Sequence, residues 1–116
     1  MDWRGLRALV SVESGERWVT VGTVEEFPPD TVRRLLVRGV PIAVFHTERG
    51  LLAVGDLCPH MGASLSEGVV HDGRLVECPA HTLRFCLTTG ACVDHHPYAV
   101  RVFPTRVEEN RLRIRV

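Results

Sequence analysis

The chain contains no lysine and no glutamine. All fourteen basic residues are arginines, scattered along the sequence rather than clustered. Fourteen acidic residues balance them to a formal net charge of zero, so nothing favours nucleic acid or an anionic membrane surface as a partner. The opening segment, MDWRGLRALVSVESG, lacks a long apolar run, a twin-arginine pair and a small-residue cleavage site. Those absences predict a cytoplasmic protein without a membrane anchor. A Ser/His/Asp set, a phosphate-binding loop and a dinucleotide fingerprint are also missing, which argues against an enzyme with its own substrate pocket. No internal repeat is visible, and no helical pattern outlasts a turn or two after Arg17.

The remaining composition is that of an ordinary globular domain: 116 residues, 45% apolar and 24% charged, enough for one modest core. Residues 1–16 read as an N-terminal extension, with Trp3, Leu6, Leu9 and Val10 on one helical face and Ala8, Val10 and Val12 alternating as in a strand. Residues 17–116 read as the domain. Trp18 to Val24 is aromatic and β-branched, and Glu25 to Asp30 is a proline-closed turn. Thr31 to Arg38 is a second strand, broken by Gly39. Ile42 to His46 reads as a buried strand that returns through Glu48-Arg49-Gly50 into Leu51 to Gly55. Asp72-Gly73 between alternating apolar residues predicts a two-residue hairpin, and Thr88-Thr89-Gly90 predicts another. Short strands at Leu83 to Leu87, Ala91 to Val93, Ala99 to Phe103, Thr105 to Val107 and Arg111 to Val116 complete the pattern. The expected fold is all-β, an antiparallel sandwich or barrel.

Chemistry concentrates in Cys58-Pro59-His60 and Cys78-Pro79-Ala80-His81, separated by seventeen residues. Each pair offers one thiolate and one imidazole. The proline after each cysteine biases that cysteine toward an extended backbone. The hairpin at Asp72-Gly73 folds the spacer back, so the two ligand loops can lie side by side. Zinc, copper and a binuclear iron–sulfur centre all accept two sulfurs and two nitrogens. Zinc fingers pair cysteine with cysteine and end on a helix, whereas each loop here mixes the two ligand types within β structure. That mixture suits a binuclear cluster, with Cys58 and Cys78 on one iron and His60 and His81 on the other. A structural zinc site or a labile cluster stays open as the alternative.

The spacing Cys-x-His then Cys-x-x-His, carried on CPHMGASLSEG, CPAH and RFCLTTG, resembles the Rieske ferredoxin family over roughly Trp18 to Val116. The resemblance implies one Rieske [2Fe–2S] cluster held by Cys58, His60, Cys78 and His81, on a small cluster-binding subdomain made of two loops at about residues 56–87. It implies an electron carrier rather than an enzyme, exchanging electrons with a flavin reductase and with a terminal oxygenase or another reductase. The small accessory subunit of a nitrite reductase is the alternative of similar length. High-potential members of the family carry a loop disulfide and a serine near the second histidine. Ala63, Ala80 and Leu83 stand at those places here, which implies a low-potential, ferredoxin-like centre.

Further expectations concern the surroundings. Thr82 occupies a position usually held by glycine and is strained if φ is positive there. Gly62 and Gly68 serve turn geometry, bring backbone N–H groups to the cluster, or do both. Leu57, Met61, Leu65, Leu83 and Phe85 read mainly as core, with one or two near the irons. Cys86 and Cys92 read as free thiols rather than a disulfide. By the same resemblance, His95 and His96 lie in a loop close to the cluster tip.

Overall fold

The computed structural model describes residues 17–60, 62–80 and 82–116. The readings made on residues 1–16, Met61 and His81 lie outside the described residues. Among the described residues the strands form antiparallel sheets throughout, as the all-β expectation requires. No helix there is long and apolar enough to cross a membrane.

In chain order the strands are β1 (Trp18–Thr23), β2 (Thr31–Val37), β3 (Val40–Thr47), β4 (Gly50–Gly55), β5 (Val69–His71), β6 (Leu75–Glu77), β7 (Arg84–Cys86), β8 (Val102–Phe103), β9 (Thr105–Glu108) and β10 (Arg111–Arg115). They assemble into sheets of order β9-β10-β1, β2-β3-β4-β8 and β5-β6-β7. The first strand stops one residue earlier than its apolar pattern suggested. The Glu26 carboxylate reaches back 3.0 Å to the Thr23 N–H and turns Val24–Glu26 into a short 3-10 segment. Arg38-Gly39, both at positive φ, make the two-residue turn between β2 and β3.

Strand β3 explains how the molecule is layered. Its residues 42–45 are all buried because the strand is covered on both faces. Ile42 and Val44 point into one core with Val19, Phe27, Val37, Leu112 and Ile114. Ala43 and Phe45 point the opposite way, into a second core with Val54, Leu65, Val76, Phe85 and Leu87. The first core joins the large sheet to the sheet of β1, β9 and β10. The second joins it to the small sheet β5-β6-β7; the second ligand loop connects β6 to β7, and the first runs between β4 and β5.

The Asp72-Gly73 turn forms as expected, with φ of 54° and 65°, and Arg74 N–H donates to the His71 carbonyl at 3.0 Å. The register is one residue longer than a two-residue loop, since His71 pairs with Leu75 rather than Arg74. The Arg74 carbonyl instead accepts from Leu87 N–H at 2.8 Å, extending the β6–β7 pairing beyond Cys86.

Candidate metal centre

The two cysteines open loops of matching construction. Cys58 N–H donates to the Ala63 carbonyl at 2.8 Å, and Cys78 N–H donates to the Leu83 carbonyl at 2.9 Å. Each loop therefore closes on the fifth residue after its cysteine. The flanking residues pair across each neck, Leu57 with Ser64 and Glu77 with Arg84. In the first loop Gly62, at φ +76°, donates its N–H to the Cys58 carbonyl at 2.7 Å. A positive φ here is what glycine supplies without steric cost. Thr82 holds the equivalent place in the second loop. Gly68 serves a different purpose. Its N–H donates to the Leu65 carbonyl at 2.9 Å, and a β-carbon there would collide with the Glu77 carbonyl oxygen. Both glycines thus serve backbone geometry, and their N–H groups end on carbonyls.

Burial separates the ligand types. Cys58 and Cys78 are 2% and 1% exposed, set among Leu65, Val76, Phe85 and Leu87. Pro59, His60, Pro79, Ala80 and Thr82 are exposed at the tip. Thiolates in so apolar a setting need a bound cation to offset the cost of burying charge. Sulfur inside and nitrogen outside is the donor order that a two-iron, two-sulfur cluster with mixed ligands asks for, so the described residues fit the group. His81 lies outside the described residues. Of the expected shielding residues, Leu65 and Phe85 are fully buried, Leu83 packs against the same core, and Leu57 is exposed.

The neck of the first loop is held by a residue that periodicity did not single out. Asp56 is completely buried. Its Oδ1 accepts from Ser66 N–H at 2.8 Å, its carbonyl accepts from Leu65 N–H at 2.6 Å, and its N–H donates to the Pro41 carbonyl at 3.0 Å. Oδ2 lies 2.8 Å from Arg34 Nε, a contact of opposite charges without the alignment of a hydrogen bond. Two residues before the cysteine of the second loop stands Val76, also buried.

A third loop, residues 91–98, lies beside the tip. Asp94 fastens it to β7: Oδ2 accepts from Arg84 N–H at 2.7 Å and Oδ1 from Arg84 Nη2 at 2.7 Å. These hydrogen bonds hold the Asp94 carboxyl below its ordinary value. His95 takes a left-handed φ of 61°. The next rings reach the first ligand loop: His96 and Tyr98 stack at 5.3 Å and 13°, Tyr98 meets His60 at 5.3 Å and 52°, and His96 meets His60 at 6.2 Å and 57°. His96 is therefore close to the tip, as the resemblance implied, and Tyr98 is the neighbour that the sequence reading missed. A lone tyrosine in a polar loop carries no periodic signal.

Cys86 and Cys92 are free thiols. Register explains this: Cys92 lies opposite Phe85, so it shares the buried face of Phe85 while Cys86 points to the other face. Partial burial pushes the Cys86 thiol up, but hydrogen bonds from the Thr88 and Thr89 side chains and N–H groups prevail and bring it to about 7.

A family model for the Rieske [2Fe–2S] domain matches residues 17–105. The ferredoxin subunit of anthranilate 1,2-dioxygenase from Burkholderia cepacia is 39% identical over 101 residues, 85% of this chain and 92% of that one. A solved structure described as the small subunit of an NADH-dependent nitrite reductase from Mycobacterium tuberculosis aligns with a TM-score of 0.77 at 34% identity, over 85% of this chain and 95% of that one. A chain in the complex of reduced oxygenase and oxidised ferredoxin of carbazole 1,9a-dioxygenase aligns with a TM-score of 0.73 at 33% identity, over 83% of this chain and 99% of that one. Matched loops, buried thiols beneath an exposed imidazole and a family match over most of its length agree: this chain belongs to the Rieske [2Fe–2S] domain family and carries one cluster of that type.

Proposed function

We propose that this chain is the ferredoxin component of a ring-hydroxylating oxygenase system, taking single electrons from a flavin reductase and delivering them to the terminal oxygenase. Cys58 and Cys78 bind the inner iron, and His60 and His81 bind the outer one. When bound, the cluster supplies a reversible one-electron couple, with a potential in the range ~ −150 to +300 mV set by two neutral imidazoles replacing thiolates. The burial gradient carries the reading: sulfur ligands at 1–2% exposure lie under an exposed His60, so the conducting edge faces a docking partner while the other end stays dry. The apolar wall of Leu65, Val76, Phe85 and Leu87 excludes water from the thiolates. Ala63, Ala80 and Leu83 add neither a disulfide clamp nor a hydroxyl donor, which supports the lower part of the range. Residues 1–16 are an N-terminal extension to the domain of residues 17–116, and the protein works in the cytoplasm.

Reconstitution tests the function. Purified protein, mixed with a flavin reductase and a ring-hydroxylating oxygenase, is expected to restore NADH-dependent hydroxylation in proportion to its iron content. A midpoint potential well above +100 mV (on the order of the upper half of that range) would refute the low-potential assignment. The likeness to the nitrite reductase small subunit supports a second reading. Stimulation of a nitrite reductase large subunit, with no transfer to any oxygenase tested, would decide for it.

A further inference from the structure

We propose that the stacked His96–Tyr98 pair is a positioning device for His60, and that the third loop is a brace joining the two ligand loops. His60 is exposed at the tip of the first ligand loop. Tyr98 meets that ring at 5.3 Å with a 52° tilt, a separation within the range of favourable aromatic contacts. His96 stacks nearly parallel on Tyr98 and lies 6.2 Å from His60, so the three rings form one compact cluster.

The brace is itself held in place. Tyr98 packs on the second core, and its carbonyl accepts from Cys92 N–H at 3.3 Å. Val93 N–H donates to the Arg84 carbonyl at 2.9 Å, and the Asp94 carboxylate takes the Arg84 N–H and guanidinium. Arg84 is the first residue of β7 and pairs with Glu77, the neighbour of Cys78. Contacts therefore run from the second ligand loop through Arg84 and Asp94 to Tyr98, and from Tyr98 to His60 on the first. The third loop thereby links the two ligand loops, which fixes the plane in which the His60 ring nitrogens are presented.

This inference rests on His60 being a ligand of the outer iron, and the experiment separates the two. The cluster-loaded protein is studied as wild type and as Tyr98→Phe, Tyr98→Leu, His96→Ala and His60→Ala. The readouts are the EPR g values, the nitrogen couplings of the outer-iron histidines and the rate of cluster loss. Tyr98→Phe is expected to match wild type, because the ring is kept. Tyr98→Leu is expected to keep its colour, widen the g spread, shift one nitrogen coupling and lose the cluster roughly two- to tenfold faster. His96→Ala, at an exposed position that leaves folding intact, is expected to shift the same coupling less. Unchanged g values and couplings in both Tyr98→Leu and His96→Ala overturn the proposal. If Tyr98→Leu does not fold, His96→Ala decides alone. Retention of both nitrogen couplings in His60→Ala overturns the ligand assignment instead.

Discussion

The ligand loops at 58–63 and 78–83 close on the same hydrogen bond at the same spacing, yet they are held by different means. The second grows from a strand pair, with Glu77 opposite Arg84 and the β6–β7 ladder behind it, and the buried residue two before its cysteine is Val76. The first has only an isolated bridge, Leu57 to Ser64, at its neck. The buried residue two before its cysteine is Asp56, whose main chain and carboxylate bind Pro41, Leu65 and Ser66 beside Arg34. Where a sheet ladder continues into the loop, an apolar residue is enough at that position. Where it does not, a buried carboxylate replaces the missing backbone partners.

The largest expected effect comes from removing that carboxylate. Asp56→Ala leaves the Ser66 N–H without its acceptor and should destabilise the protein by about 2–3 kcal/mol in chemical denaturation, with faster iron loss. Asp56→Asn, which keeps an oxygen acceptor, should cost less. Val76→Ala tests the other loop, with a comparable loss of about 1–3 kcal/mol that arises from a cavity and spares the first neck. If the two variants release iron with the same loop sensitivity to proteolysis, the contrast between the loops is wrong.

Next comes the contact between the two necks. Gly68→Ala drives a β-carbon into the Glu77 carbonyl and should cost about 1–3 kcal/mol, read as a lowered denaturation midpoint. Gly62→Ala finds open space for its β-carbon, so its cost is the backbone strain of an L side chain at positive φ, about 1 kcal/mol. Thr82→Gly, at the matching place in the second loop, tests whether that backbone requirement is shared. Stabilisation by Thr82→Gly would show that the loops share one backbone requirement after all.

Smaller effects depend on pH. Asp94 is held below its ordinary value by hydrogen bonds from the Arg84 side chain and N–H, so its contribution is complete above the unfolded carboxyl value of 3.8. That contribution is lost as pH falls from there through the depressed folded value. Wild type should lose its advantage over Asp94→Asn in that acidic window, and a constant difference would contradict the contact. Cys86, brought to about 7, should be alkylated with a rate that rises through neutral pH, while Cys86→Ser abolishes that phase.

What was legible in the chain was local chemistry. Cys58, His60, Cys78 and His81 stand out by spacing, and the turn at Asp72-Gly73 follows from residues that tolerate positive φ. Ile42 to His46 reads as buried because its apolar run does not alternate, and β3 is indeed covered on both faces. The rest depends on partners distant in sequence. Arg34 and Asp56 meet only because β2 lies near the first neck, and Tyr98 meets His60 only because Asp94 ties its loop to β7. The extra residue of the 72–74 turn likewise follows from Leu87 drawing the Arg74 carbonyl into the ladder. None of these contacts leaves a periodic trace.

The most direct test of the account is the EPR spectrum of the dithionite-reduced protein. Ligation of the outer iron by His60 and His81 predicts an average g below the free-electron value and couplings to two histidine nitrogens, one of which disappears in His60→Ala. A spectrum of the all-cysteine type, or a colourless protein holding one zinc, would contradict it.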